Sequence, residues 1–214
     1  MNVLVRDLFS ELNEIDPDDD ENVLEGMIGV WCGRVGVREI RKSIHDWLER
    51  YADRQSLRMM ARETSTHYVW PIYAASNGFS MVINEFKNPS DMIAGHAAIY
   101  HNHRYSFASL VLSGGYRQVR STIELRSPRE VVRINDLSEE SIVTGDIVRV
   151  NHREFHRLSG FQADTVTLVV RCPAAKAESF SVNSGTLNVT WHMPIEERVP
   201  RLIAALLPMN EMEV

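Results

Sequence analysis

The sequence predicts a mainly β protein, a small sandwich or barrel with N-terminal helices and a short C-terminal helix. Three observations predict it. After about residue 62 the chain breaks into about eight short β-rich runs. Several runs alternate polar with apolar side chains, as Thr165-Val166-Thr167-Leu168 and Leu187-Asn188-Val189-Thr190-Trp191 do. Glycine, asparagine, aspartate and proline lie between the runs, where the backbone must turn. The expected division is a helical extension over 1–62, packed on a barrel with its C-terminal helix over 63–214.

The elements follow in order. VLVRDLFSELNEI, 3–15, places Leu4, Leu8, Phe9 and Leu12 on one helical face. Pro17 and the aspartates around it end that helix in a turn. A second helix is expected over about 21–31. A third, over 37–55, carries Ile40, Ile44, Trp47, Leu48 and Tyr51 on one face and Arg41, Lys42, Glu49 and Arg50 on the other. The strand runs are HYVWPIYAA, FSMVINEF, ASLVLSG, YRQVRSTIEL, EVVRIND, DIVRV, DTVTLVVRC and LNVTWHM. Trp70 and Tyr73 are expected in the barrel core. A closing helix over 195–207 aligns Val199, Leu202, Ile203, Leu206 and Leu207, with Pro200 in its first turn.

Composition excludes several classes. With 44% apolar and 24% charged residues the chain is neither wholly disordered, collagenous nor a disulfide scaffold. No apolar run approaches the ~20 residues that span a bilayer, so no membrane association is expected. The acidic N-terminus does not read as a secretory signal, and the expected compartment is the cytoplasm. Net charge is −6, and residues 1–25 hold nine acids against Arg6 alone. The remainder has no basic face, so nucleic acid is not an expected partner. The acidic stretch lacks the spacing of a calcium loop. Cys32 and Cys172, 140 residues apart, read as reduced, partly buried thiols.

The chemistry lies in the histidines. His101-Asn102-His103 places two imidazoles on one face of a strand, where residues i and i+2 point the same way. Two neutral nitrogens on one rigid strand suit a divalent metal. The surroundings are Gly95, five residues, His101-Asn102-His103 and Gly114, followed by Gly145, ten residues and His156.

This pattern resembles the two motifs of the cupin superfamily. In its first motif Gly95, His101, His103 and Gly114 fall in register, and in its second Gly145 and His156 do. The slots for glutamate, proline, a second glycine and asparagine hold Phe107, Asn151, Arg153 and Gly160. The resemblance covers about residues 65–192 and implies a double-stranded β-helix, a jelly-roll barrel with a metal at its mouth. It implies His101, His103 and His156 as ligands. His152 is the rival third ligand, because it shares strand parity with His156. With Phe107 in the glutamate slot, the ligand set is three neutral nitrogens. That is similar to the cysteine-dioxygenase-like thiol dioxygenases, which hold Fe(II) on three histidines and take a thiol and O2.

The expected function is therefore a mononuclear non-haem iron oxygenase acting on a small metabolite, with a cysteine-like thiol oxidised at sulfur as the best single substrate. The alternatives are a non-catalytic small-molecule-binding cupin and a non-redox metal-dependent isomerase. Phe107 is expected to wall the cavity, His67 to line it and His192 to support the ligands. Arg117, Arg153 and Arg157 are candidate anion binders, and Arg104 is expected to point out of the barrel. His96 and His45 read as surface residues. The resemblance also admits a homodimer.

Overall fold

The structure, a computed structural model, describes residues 3–16, 18, 20–50, 54–92, 98–128 and 130–192. The expected helix over 195–207 lies outside them, as do Gly95 and His96.

Helix α1, Val3–Glu14, buries Leu8 and Leu12. Helix α2, Glu21–Arg50, begins at Asp20, whose carboxylate accepts the backbone N–H of Asn22 at 2.9 Å, a side-chain cap on an otherwise unpaired donor. The second and third expected helices are both within this span, separated at Gly36, whose φ/ψ of 77°/155° is not helical. Helix α3 is Arg54–Met60.

Twelve strands follow: β1 Arg62–Glu63, β2 His67–Ala74, β3 Ser80–Phe86, β4 Tyr100–His101, β5 Phe107–Ser113, β6 Gly115–Ser127, β7 Glu130–Val143, β8 Ile147–Val150, β9 Phe155–Ser159, β10 Val166–Arg171, β11 Ser179–Val182 and β12 Val189–His192. They form two six-stranded antiparallel sheets, ordered β1-β2-β3-β10-β5-β8 and β12-β11-β4-β9-β6-β7. Apart from the β6–β7 hairpin, the chain alternates between the sheets from β3 to β11. It thus winds as a double-stranded β-helix, a jelly roll, with helices at its N-terminal side.

Strand parity divides the interior into layers. Met81, Ile83, Ala108, Leu110, Leu168 and Val170 face outward from the first sheet and pack with Leu8, Leu24, Ile28, Trp31 and Ile40 of the helices. Their neighbours Val82, Phe86, Phe107, Val111 and Val169 face the second sheet and form the barrel core with Tyr116 and Leu158. Trp70 and Tyr73 correct the expectation. They pack on the helical side, where Tyr73 stacks on Phe9 with centroids 4.2 Å apart. The bulge between Pro71 and Tyr73 shifts β2 out of simple alternation there.

Other differences concern length. The run at 130–136 continues to Val143, because β7 pairs along nearly all of β6. Strands β1, β4, β9 and β11, of two to five residues, carry no separate period-two signature.

Two motif glycines have a backbone reason. Gly114 joins β5 to β6 with φ 71°, and Gly145 turns β7 into β8 with φ 99°. A side chain is strained in this region.

Candidate metal centre

The three histidines reach one point by different routes. His101 ends β4 and His156 lies on β9, and they are direct partners across the antiparallel pair. Their ring centroids are 4.5 Å apart. The residue between the first two histidines is structural. Buried Asn102 accepts the N–H of Phe180 on its side-chain oxygen at 2.9 Å and donates its own N–H to the Phe180 carbonyl. This fastens the end of β4 to β11. The strand stops at His101, so His103 does not share a strand face with it. It arrives from the following loop, with Nε2 2.9 Å from Nε2 of His156. Ligand nitrogens of His101, His103 and His156 lie within 4.8 Å of one another. His152 is not part of this group. It sits in the turn before β9, where its Nδ1 pairs with Ser106 Oγ at 3.2 Å.

Hydrogen bonds fix two tautomers. His101 Nδ1 lies 2.9 Å from the Ile99 carbonyl. A carbonyl only accepts, so Nδ1 carries the proton and Nε2 presents a lone pair. His156 Nδ1 lies 3.3 Å from Gln118 Oε1, which has the same consequence. Burial, and then the nearby His156, hold the His101 pKa well below its ordinary value, so the ring is neutral. Neutral imidazoles whose second nitrogen donates to a carbonyl are the usual metal-ligating form. The 2.9 Å spacing also matches two nitrogens, each about 2.1 Å from a shared ion, at roughly a right angle. The donor set fits a first-row divalent ion. Nitrogen ligands alone suit iron, zinc, copper and nickel.

The group opens on a cavity of about 650 Å3 between the sheets, which takes in His67, Phe107, Gln118 and His192. Phe107 packs edge-to-face with His103, the ring centroids 4.9 Å apart. His192 lies on β12, its Nε2 2.9 Å from the hydroxyl of Ser181, which is the cross-strand partner of His101. It lines the same cavity as the three histidines. His67 holds its Nδ1 between the hydroxyls of Thr64 and Thr66, at 3.1 and 3.0 Å.

Burial, aided by the charges of Arg171, Lys87 and Arg62, pushes the His67 pKa from 6.5 down to about 4. As pH falls through this window the unfolded chain takes up a proton before the native ring does, so stability falls. Between pH 7 and pH 4 the wild type should lose about 3 kcal/mol more stability than His67→Gln. Urea denaturation at both pH values measures it, and equal losses would show that His67 titrates normally in the fold.

The arginines rearrange the expectation. Arg117 pairs with Glu139 on the surface, Arg157 lies over the Tyr100 ring at 5.3 Å, and exposed Arg153 sits in the turn before β9. None of the three lines the cavity. Arg104 does, because the backbone after His101 is loop rather than strand and alternation fails. Arg62 and Arg171 line it as well. The sequence reading missed Arg171. Its signal was parity with Thr167 and Val169, two inward positions of one strand. Exposed His45 lies beside Asp46, and both cysteines are thiols.

No family model and no curated protein matches the sequence. Among solved structures, KdgF from a Halomonas species is 13% identical, with 53% of this chain and 86% of that one covered and a TM-score of 0.37. An RmlC-like cupin protein from Desulfovibrio desulfuricans is 16% identical, with 52% and 86% covered and a TM-score of 0.34. Salicylate 1,2-dioxygenase from Pseudoaminobacter salicylatoxidans, in complex with gentisate, is 11% identical, with 52% and 26% covered and a TM-score of 0.37.

Proposed function

We propose that this chain is a mononuclear non-haem iron oxygenase that holds Fe(II) on His101, His103 and His156 and acts with O2 on a small substrate. The observation that carries the reading is three converging imidazoles beside the ring of Phe107, a group that takes in no carboxylate among the described residues. Three neutral ligands leave the full charge of a divalent ion to an incoming anion, and a thiolate is the softest candidate. The best single substrate is therefore a small thiol such as a cysteine derivative, whose sulfur would take up both atoms of O2 to give a sulfinate. Bound Fe(II) would supply the Lewis acidity that deprotonates the thiol and the redox chemistry that its oxidation needs.

The protein's own residues do the rest. The Ile99 carbonyl and Gln118 hold the rings of His101 and His156 in one tautomer and one orientation. Phe107 and the apolar barrel core keep water from the reacting face.

Metal content tests the reading. Mass spectrometry of tag-free protein purified anaerobically should find about one iron per chain, and small thiols should then drive oxygen uptake. Near-stoichiometric zinc or manganese would move the site to non-redox chemistry such as isomerisation. No metal, and none retained after adding Fe(II), would make the barrel a binding module.

A further inference from the structure

The strand that carries His101 is too short to place it unaided. β4 holds only Tyr100 and His101, and its ladder to β9 is the single pair His101–His156. Its ladder to β11 adds Ser181–His101 and Val182–Tyr100. A strand pinned by so few backbone pairs opens easily, and side chains must supply what the backbone lacks. Asn102 is one such anchor, on the β11 side. The other works from the outer face of the sheet.

Alternate residues of a strand face opposite ways, so Tyr100 and Phe155 point away from the cavity that His101 and His156 face. Tyr100 is 5% exposed and belongs to an apolar cluster with Phe155, Phe180 and Val182. Its phenol reaches past β9 and β6 to β7, where it donates to Asp136 Oδ1 at 2.8 Å. The same oxygen accepts Ser121 Oγ at 2.7 Å, from the cross-strand partner of Asp136 on β6. The Arg157 guanidinium, one residue past His156 on β9, lies over the Tyr100 ring at 5.3 Å, so the two strands that carry ligands also meet on this outer face. A β-bulge aims the acceptor. The β6–β7 register passes from Arg120–Ser138 directly to Ser121–Asp136, which leaves Leu137 unpaired and re-aims the side chain beside it. Leu137 is 66% exposed and gains nothing by burial, whereas Asp136 gains two hydroxyl donors. Bonds to an ionised acceptor are the stronger kind, and a buried phenol that lost its acceptor would be left unpaired.

We infer that Asp136 is a positioning residue for the metal group: through Tyr100 it fixes β4, and with it His101, from the far face of the sheet. The inference deepens the proposed function and rests on its three-histidine group. Asp136 itself lies on the edge strand, outside the cavity lining. Without its bond to Tyr100, the side-chain anchoring of β4 falls to Asn102, and the strand can shift against β9. A nitrogen held slightly out of place binds a metal less well, although none of the three ligands has been removed.

Cobalt(II), followed by its visible absorption and by competition with a chelator, probes the group apart from turnover. Tyr100→Phe keeps the buried ring and removes only the hydroxyl. It should weaken Co(II) by about tenfold, the lower end for a partner that orients a ligand from outside, and move the absorption band. Asp136→Ala should do the same, whereas Asp136→Asn, which leaves an acceptor oxygen in place, should keep most of the affinity. Val131→Ala is the control for a purely structural role. It removes bulk from the same outer-face cluster, and should lower resistance to urea while leaving Co(II) affinity unchanged. In metal-free protein the Nδ1–H resonance of His101, identified by its loss in His101→Gln, should move in Tyr100→Phe and Asp136→Ala but hold in Asp136→Asn. Wild-type affinity with an unmoved resonance in Tyr100→Phe, an Asp136→Asn protein as weak as Asp136→Ala, or an equal loss of affinity in Val131→Ala would overturn the inference. The two proposals fail separately. Wild type that takes up no Co(II) refutes the three-histidine metal group, and the His101 resonance of the metal-free protein then decides whether Asp136 positions that ring. Co(II) uptake by wild type, with no oxygen consumption under iron, leaves the positioning role standing and refutes the oxygenase alone.

Discussion

His156→Ala should lose metal by more than about 100-fold in affinity while the barrel stays folded. The substitution removes one of three nitrogens, yet the backbone of β9 still pairs with β4 and β6. Metal titration followed by mass spectrometry measures the loss, and circular dichroism reports the fold. Two companions sharpen the result. Gln118→Leu, which removes the acceptor that orients His156, should weaken binding by about 10- to 100-fold. His152→Ala should leave the metal in place, because that imidazole is occupied with Ser106. A His156→Ala protein that retains stoichiometric metal would mean that the three rings converge for structural reasons alone.

Gly114→Ala should be among the most damaging single-methyl changes in the chain, lowering stability by about 2–5 kcal/mol. Two costs add. A φ of 71° costs a residue with a side chain about 1–2 kcal/mol. A Cβ at this position would also stand 2.7 Å from the Cα of Thr165, and overpacking costs about 1–3 kcal/mol. Thr165 cannot retreat easily. It is fully buried, and its hydroxyl donates to the Gln162 carbonyl at 2.7 Å. Gly145→Ala is the control. Its φ is 99°, but the nearest atom to a new Cβ is a Val37 methyl at 3.9 Å, so only the conformational cost of about 1–2 kcal/mol applies. Urea denaturation of both variants tests the difference, and equal losses would mean that Thr165 yields.

The legible parts of the sequence were those where local chemistry and fold agree. Gly114 and Gly145 marked real turns, because their backbone conformation excludes other residues. The first helix ended at the aspartate-rich turn, and the long apolar runs became β2, β3, β5 and β10. His101, His103 and His156 could be chosen by spacing, although not for the geometric reason that spacing offered. Only His101 is held by a strand at β4. His103 depends on Asn102 closing the ladder to β11, a long-range bond that no local pattern announces. Strands β1, β4, β9 and β11 were hidden because so short a run shows no period of its own, whereas β8 and β12, equally short, stood out by their β-branched and aromatic residues. Arg104 was misplaced because an alternation rule was extended past the end of a strand. Arg171 was overlooked because a basic residue ending an apolar run reads as the point where a strand meets solvent. Only the partnership with Phe107 reveals that this end meets the cavity.

The layering of the first sheet has a consequence for how such a protein can change. Along β5 and β10, residues committed to the helices alternate with residues committed to the cavity. Ala108, Leu110, Leu168 and Val170 serve the first layer, while Phe107, Ser109, Thr167, Val169 and Arg171 serve the second. Instructions for folding and instructions for ligand choice are thus interleaved residue by residue on the same strands, yet face away from each other. Descendants of one such chain can rewrite the odd positions to suit a new molecule while the even positions keep the scaffold intact. A barrel backed by helices on one face becomes a template on which selectivity can drift without the architecture being renegotiated.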